Sequence, residues 1–81
     1  MNEFKVKIRA FIIDNFLFGE ANGLGDDTSF LEEGIIDSTG VLELVEFLEK
    51  EFAISVEDEE LIPENLDSID NTAKYLAQKV G

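Results

Sequence analysis

The chain has no cysteine and no histidine, and only 6 of its 81 residues are Lys or Arg. Without cysteine there is no disulfide framework, no thiolate metal site and no cysteine nucleophile. Without histidine the commonest general base, proton shuttle and zinc ligand are missing. We therefore expect a protein with no catalytic residues and no metal site of its own.

Basic residues are scarce because acids dominate: 19 Asp or Glu give a formal net charge of -13. Such a surface has no electrostatic footprint for nucleic-acid phosphates, so no nucleic-acid partner is expected. Between residues 10 and 49 there are ten acids and no base. This acidic field is either a solvated face that maintains solubility, the more frequent case, or a surface that attracts basic partners.

A long apolar run is also missing. Phe11–Phe18 is short and interrupted by Asp14 and Asn15, which excludes a signal peptide or a transmembrane span there. We expect a cytoplasmic protein without membrane insertion. With 44% hydrophobic residues, the chain is expected to fold as one domain over residues 1–81.

Three segments have apolar residues at helical spacing. The first stripe, broadened by Ile13 and Leu17, is Phe4, Ile8, Phe11, Ile12 and Phe16. The second is Val41, Leu44, Val45, Leu48 and Phe52, and the last is Ile69, Thr72, Ala73, Leu76 and Val80. These spacings predict core-facing positions on three main helices.

The connections between these helices contain turn signals and one more short helix. Gly19–Thr28 is rich in Gly, Asn and Asp, which predicts a long first loop. Ser29–Glu32 fits a capping box that begins a helical turn, and Gly34 ends it. Glu57–Ile62 is predicted to be a short helix that stops before Pro63. The fold class is therefore all-α, a small four-helix bundle.

Three possible chemical motifs are incomplete. Gly23-Leu24-Gly25 lacks the strand, the third glycine and the lysine of a phosphate loop. The acids of Glu57–Glu60 lack the spacing of an EF-hand loop. Glu43 and Glu46 are paired carboxylates on an exposed helix face, where acid–base catalysis is not expected.

The Asp37-Ser38-Thr39-Gly40 run at the start of the second helix is the exception. Ser38 is interpreted as a helix N-cap, and that structural role alone would suffice. Since a helix N-terminus favours a bound or attached anion, a phosphate ester on Ser38 would also be stabilised there. Asp67-Ser68 repeats the pair, with Asp67 predicted to cap the last helix and Asp70 in its first turn; it is interpreted as structural only.

The sequence resembles the acyl carrier protein family. The resemblance rests on two runs, Phe30–Ser38 and Val41–Val45, and extends over essentially the whole chain. It implies that Ser38 carries a 4′-phosphopantetheine arm derived from coenzyme A, with Asp37 as its companion. The arm's thiol would hold an acyl group as a thioester in fatty-acid, polyketide or related biosynthesis.

The resemblance also implies the partners. A phosphopantetheinyl transferase would install the arm, and a loading ligase and acyl-processing enzymes would dock through basic patches. The implied partner-recognition residues are Thr39, Leu42, Glu43 and Glu46, with Leu42 either an exposed contact or part of the core. The protein is expected to be a monomeric carrier and not an enzyme.

The chain departs from the common family pattern at Thr39, where Leu is usual, and at Gly40, where an acid is frequent. Gly34 lies four residues before Ser38 instead of three. These features are closer to D-alanyl and specialised carriers, so a D-alanyl or other aminoacyl cargo is the alternative. An acidic helical interaction module that is never modified also fits the composition and periodicity.

Overall fold

The computed structural model describes residues 2–19 and 23–80 of the chain. Every regular element within these residues is helical, which confirms the all-α prediction. The α-helices are α1 (Asn2–Phe16), α2 (Ser38–Phe52), α3 (Pro63–Leu66) and α4 (Ile69–Val80), and Asp58–Glu60 forms a 3₁₀ turn. In the part of the chain described, no helix is long and apolar enough to cross a membrane.

The core lies where the apolar stripes of α1, α2 and α4 meet. Their fully buried members are Ile8, Ile12, Leu44, Leu48, Ile69, Thr72, Ala73 and Leu76. Leu24, Phe30 and Ile36 from the first loop, with Leu66 of α3 and Tyr75 of α4, complete this core. The other stripe members differ from the prediction. Val80 is 48% exposed because it ends α4, and the rest are half-buried at the edge of the core: Phe4, Phe11, Phe16, Val41, Val45 and Phe52.

Aromatic side chains join α1 to α2. The Phe4 and Phe52 rings meet edge to face with centroids 5.3 Å apart, and the Phe11 and Phe47 rings stack at 4.3 Å. Since early residues of α1 contact late residues of α2, the two helices run antiparallel. The end of α1 therefore lies beside the start of α2.

The connection from α2 to α4 contains two elements where the sequence predicted one helix over Glu57–Ile62. Only Asp58–Glu60 is helical there, as a 3₁₀ turn, and α3 follows it. Pro63 is the first residue of α3 and does not merely stop a preceding helix. A proline is tolerated at this position because its missing N–H has no partner in a first helical turn.

Asp67 does not cap α4, contrary to the prediction. The Ser68 hydroxyl accepts from Asn71 N at 3.0 Å at the start of that helix. The Asp67 carboxylate instead accepts from Leu31 N at 2.9 Å and from the Ser29 hydroxyl. Asp67 thus fastens the first loop to the α3–α4 junction, a long-range role that local sequence does not reveal.

The first loop is held against the helices by hydrogen bonds and ion pairs. Arg9 donates to Leu24 O at 2.6 Å and pairs with Asp26, and Asp70 N of α4 donates to Asp26 O at 2.8 Å. Within the loop, Ser29–Glu32 forms a turn and not a helix, with Glu32 N donating to the Ser29 hydroxyl at 3.1 Å. The predicted turn signal at Asn22 lies outside the described residues.

Candidate functional site

Ser38 is the first residue of α2, one position beyond the helix cap. The N-cap is Asp37, whose backbone is extended and whose Oδ1 accepts from Gly40 N at 2.8 Å. The prediction that Ser38 is the cap is therefore wrong. The Asp37 carboxylate accepts the hydrogen bond of the Gly40 N–H, so the Ser38 hydroxyl is not needed as a cap. Ser38 is exposed, so its hydroxyl is open to an enzyme that approaches this end of α2.

Gly40 explains why the site has its local shape. A Cβ at this position would lie 2.9 Å from Phe16 Cε1 and 2.9 Å from Ile36 Cγ2, closer than such contacts normally permit. Glycine thus allows the Phe16 ring to pack directly on the first turn of α2. The sequence singled out Gly40 only as a departure from a family pattern, because its neighbour Phe16 is distant in the chain.

An apolar groove of about 280 Å³ begins at Ser38 and runs between α2 and α3. Its walls are Phe30, Leu31, Ile36, Val41, Leu42, Leu61, Ile62, Pro63, Leu66 and Asp67. The bonds from Asp67 to the first loop hold Phe30 and Leu31 in one wall. The sequence did not indicate this groove, since its walls come from three separate segments.

The remaining predicted recognition residues lie on two sides of α2. Leu42 is 58% exposed and lines the groove, so it is a surface contact and not part of the core. Glu43 and Glu46 are exposed and line a separate hollow toward α1, together with Phe11 and Phe47. Thr39 is exposed beside Ser38. The structure therefore brings Leu42 to the groove and separates the two acids from it.

The site suits an attached phosphodiester. The first turn of α2 carries no acidic residue, and backbone N–H groups at a helix N-terminus favour a negative group. The nearest carboxylate, Asp37, already accepts a hydrogen bond from Gly40 N. The apolar groove next to Ser38 offers a surface for a flexible arm or its cargo. Ser38, Asp37 and the groove wall are thus the residues that would hold such a group.

Among the other acids, Glu60 has several structural partners. Glu60 Oε1 accepts from Glu57 N at 2.9 Å, from Lys79 Nζ at 2.9 Å and from the Tyr75 hydroxyl at 3.0 Å. These bonds, that from Glu57 N first, hold the pKa of Glu60 below its usual value. Burial, and then the bond to Glu60, raises the pKa of Tyr75. This part of the acidic cluster therefore ties the 3₁₀ turn to α4.

Comparison with known proteins agrees with this site. Residues 17–76 match the family model of a phosphopantetheine attachment site. The chain belongs to the acyl carrier protein family. It is 35% identical over 63 residues to the probable acyl carrier protein PigG of a Serratia species, covering 78% of this chain and 72% of that protein. The carrier thus has a domain for covalently attached 4′-phosphopantetheine, and the matched stretch contains both Asp-Ser pairs.

A solved structure has the same fold. The carrier is similar to a chain in the crystal structure of an FAD-dependent dehydrogenase, with a TM-score of 0.76 and 28% identity. The similarity covers 85% of this chain and 97% of that one. Carriers of this family interact in general with phosphopantetheinyl transferases and with enzymes that process acyl groups.

Proposed function

We propose that the protein is a non-catalytic carrier that bears 4′-phosphopantetheine on Ser38 and presents acyl or aminoacyl groups to partner enzymes. The observation that supports Ser38 is its exposure at the first position of α2, with the capping role taken by Asp37. When bound, the group supplies a thiol on which cargo is held as a thioester. The carrier contributes the attachment hydroxyl, the helix N-terminus and the docking surfaces.

Ser68, the other serine that follows an aspartate, is a poorer attachment site. It is buried, and its hydroxyl caps α4 by accepting from Asn71 N. Modification there would remove the cap and open the core. The contrast between an exposed, unneeded hydroxyl and a buried, bonded one favours Ser38.

The proposal is tested by intact mass after incubation with coenzyme A, Mg²⁺ and a broad-specificity phosphopantetheinyl transferase. The natural chain and a Ser68→Ala control should each gain one phosphopantetheine, whereas Ser38→Ala should gain none. If the folded natural chain gains nothing with several transferases, the protein is instead an unmodified acidic interaction module. Modification of Ser38→Ala would move the attachment site elsewhere.

We propose that Glu43 and Glu46 attract partners with basic docking patches. Both acids are exposed on α2, and charge complementarity of this kind mainly accelerates encounter. The double variant Glu43→Gln/Glu46→Gln should slow association with the transferase and make it less dependent on salt. The matched control Glu3→Gln/Asp58→Asn removes two charges from exposed positions elsewhere. An equal effect of this control would show that the net charge, and not the position of the acids on α2, sets the association rate.

We also propose that Thr39 and Leu42 are partner contacts beside the attachment point. Both are exposed in the first turns of α2, and Leu42 adds apolar surface at the mouth of the groove. Leu42→Ala should weaken binding of enzymes that act on the arm while leaving stability nearly unchanged. Loss of stability comparable to that of a buried Leu44→Ala variant would show that Leu42 packs in the core after all.

An FAD-dependent dehydrogenase is proposed as one class of partner. The support is the similarity to a chain from the crystal structure of such an enzyme. The test loads the carrier from butyryl-coenzyme A and adds that dehydrogenase with its FAD. Transfer of two hydrogens from the butyryl group to FAD should lower the intact mass by two hydrogens; an unchanged mass and no binding would remove this partner.

A further inference from the structure

Phe18, just beyond α1, is unusually placed for an aromatic residue. Its side chain is 90% exposed. Its backbone has φ of 54°, in the left-handed region that disfavours a residue with a bulky side chain. This left-handed residue ends α1, with Gly19 N donating to Ile13 O at 2.9 Å, and glycine is the usual residue at such a position. Both the exposed ring and the strained backbone cost free energy in the isolated chain.

The register of α1 against α2 places Phe18 at the Ser38 end of the bundle. The contacts advance from Phe4 with Phe52, through Phe11 with Phe47, to Phe16 beside Gly40. Two residues beyond Phe16 is Phe18, and two residues before Gly40 is Ser38. The exposed ring therefore belongs to the surface around the attachment residue.

Other exposed apolar side chains lie beside Ser38. Leu31 and Leu42 are 46% and 58% exposed, and both line the groove that begins at Ser38. Phe18 stands on the α1 side, away from the residues that form this groove. An enzyme seated over Ser38 would thus meet several exposed apolar side chains at this end of the bundle.

We propose that Phe18 is a docking residue for the phosphopantetheinyl transferase, which receives its ring in an apolar pocket. This inference rests on the proposed role of Ser38. The transferase acts on the Ser38 hydroxyl itself, so its body must contact the surface around that hydroxyl. Exposed acids near this end, Glu33 and Asp37, indicate that the rim of the partner's pocket is basic.

The test compares transfer kinetics for Phe18→Ala, Phe18→Gly and the control Val6→Ala. Val6 is 67% exposed in the first half of α1, which packs beside the end of α2 that is distant from Ser38. We expect kcat/KM for phosphopantetheinylation to fall about tenfold or more for both Phe18 variants, mainly through KM, as for a buried aromatic anchor. Val6→Ala should react like the natural chain.

Phe18→Gly separates docking from a structural role. Because glycine tolerates positive φ, this variant should melt at the same temperature as the natural chain or higher, and yet react slowly. If both Phe18 variants have the same kcat/KM as the natural chain, the inference is overturned while the proposed function stays intact. Failure to modify even the natural chain would overturn the proposed function itself.

Discussion

At the scale of single residues, the sequence predicts Ser38 as both helix cap and attachment site, whereas the structure gives the cap to Asp37 and leaves Ser38 only the proposed attachment. Asp37 caps α2 through Gly40 N, so Asp37→Ala should lower the free energy of unfolding by about 1 kcal/mol. Ser38→Ala should change it by less than about 0.5 kcal/mol, as for other exposed positions. Urea unfolding of both variants measures these changes. Equal losses in the free energy of unfolding would show that Ser38 also caps the helix.

A second prediction at this scale concerns the replacement of Gly40. Ala at this position would crowd the Phe16 ring and Ile36. We therefore expect Gly40→Ala to lower the free energy of unfolding by about 1 kcal/mol, after the better helix propensity of Ala is included. Thr39→Ala, one residue earlier and exposed, is the matched control. A more stable Gly40→Ala variant would show that Phe16 moves aside without cost.

The proposed attachment residue could be singled out from sequence because Asp37-Ser38 lies within a long, specific local run. The close approach of Phe16 to Gly40 could not, since it depends on how two distant helices pack. The same holds for Asp67, whose bonds to Ser29 and Leu31 cross more than thirty residues of chain. Local spacing predicts a residue's helix, and tertiary contacts decide which of its possible partners it takes.

At the scale of elements, the Glu60 bonds fasten the 3₁₀ turn to α4. Because the folded pKa of Glu60 is lowered, its contribution to stability is present above its unfolded pKa and is lost as pH falls through the folded value. Glu60→Gln should therefore lower the melting temperature at pH 7 and have no effect in strong acid. The exposed Glu59→Gln control should leave the melting temperature unchanged at every pH. An effect of Glu60→Gln that does not depend on pH would show that the charge of the Glu60 carboxylate is not what stabilises this turn.

Tyr75 reports on the same element. It is the only tyrosine and the chain has no tryptophan, so its ultraviolet absorbance titrates without interference. Since burial raises its folded pKa, its contribution is complete below its ordinary pKa and is lost as pH rises toward the folded value. Ionisation should thus begin above its usual range; titration at the ordinary pKa in the folded state would show that the ring is not buried.

The helices themselves were largely predictable, because α1, α2 and α4 each repeat apolar residues at a helical period. The segment between α2 and α4 was not, because its elements span three and four residues, too few for a periodic pattern. Pro63 was interpreted as a stop signal, although proline equally suits the first position of a helix. The hydrogen bond from Asp67 N to Pro63 O at 2.9 Å shows that Pro63 begins a helical turn.

At the scale of the whole molecule, the net charge of -13 opposes the compact state. Ion pairs of Lys5, Lys7, Arg9 and Lys79 offset part of this repulsion, but 6 bases cannot balance 19 acids. Added NaCl or MgCl₂ should therefore raise the melting temperature by screening the remaining acids. A melting temperature unchanged by both salts would contradict this view.

The central claim is that Ser38 bears the phosphopantetheine, and trypsin offers a direct measurement on the natural chain. Cleavage after Arg9, Lys50 and Lys74 places Ser38 in the peptide 10–50 and Ser68 in the peptide 51–74. After reaction with the transferase, the first peptide should gain one phosphopantetheine, with fragment ions locating it on Ser38. A gain on the second peptide, or on neither, would contradict the account.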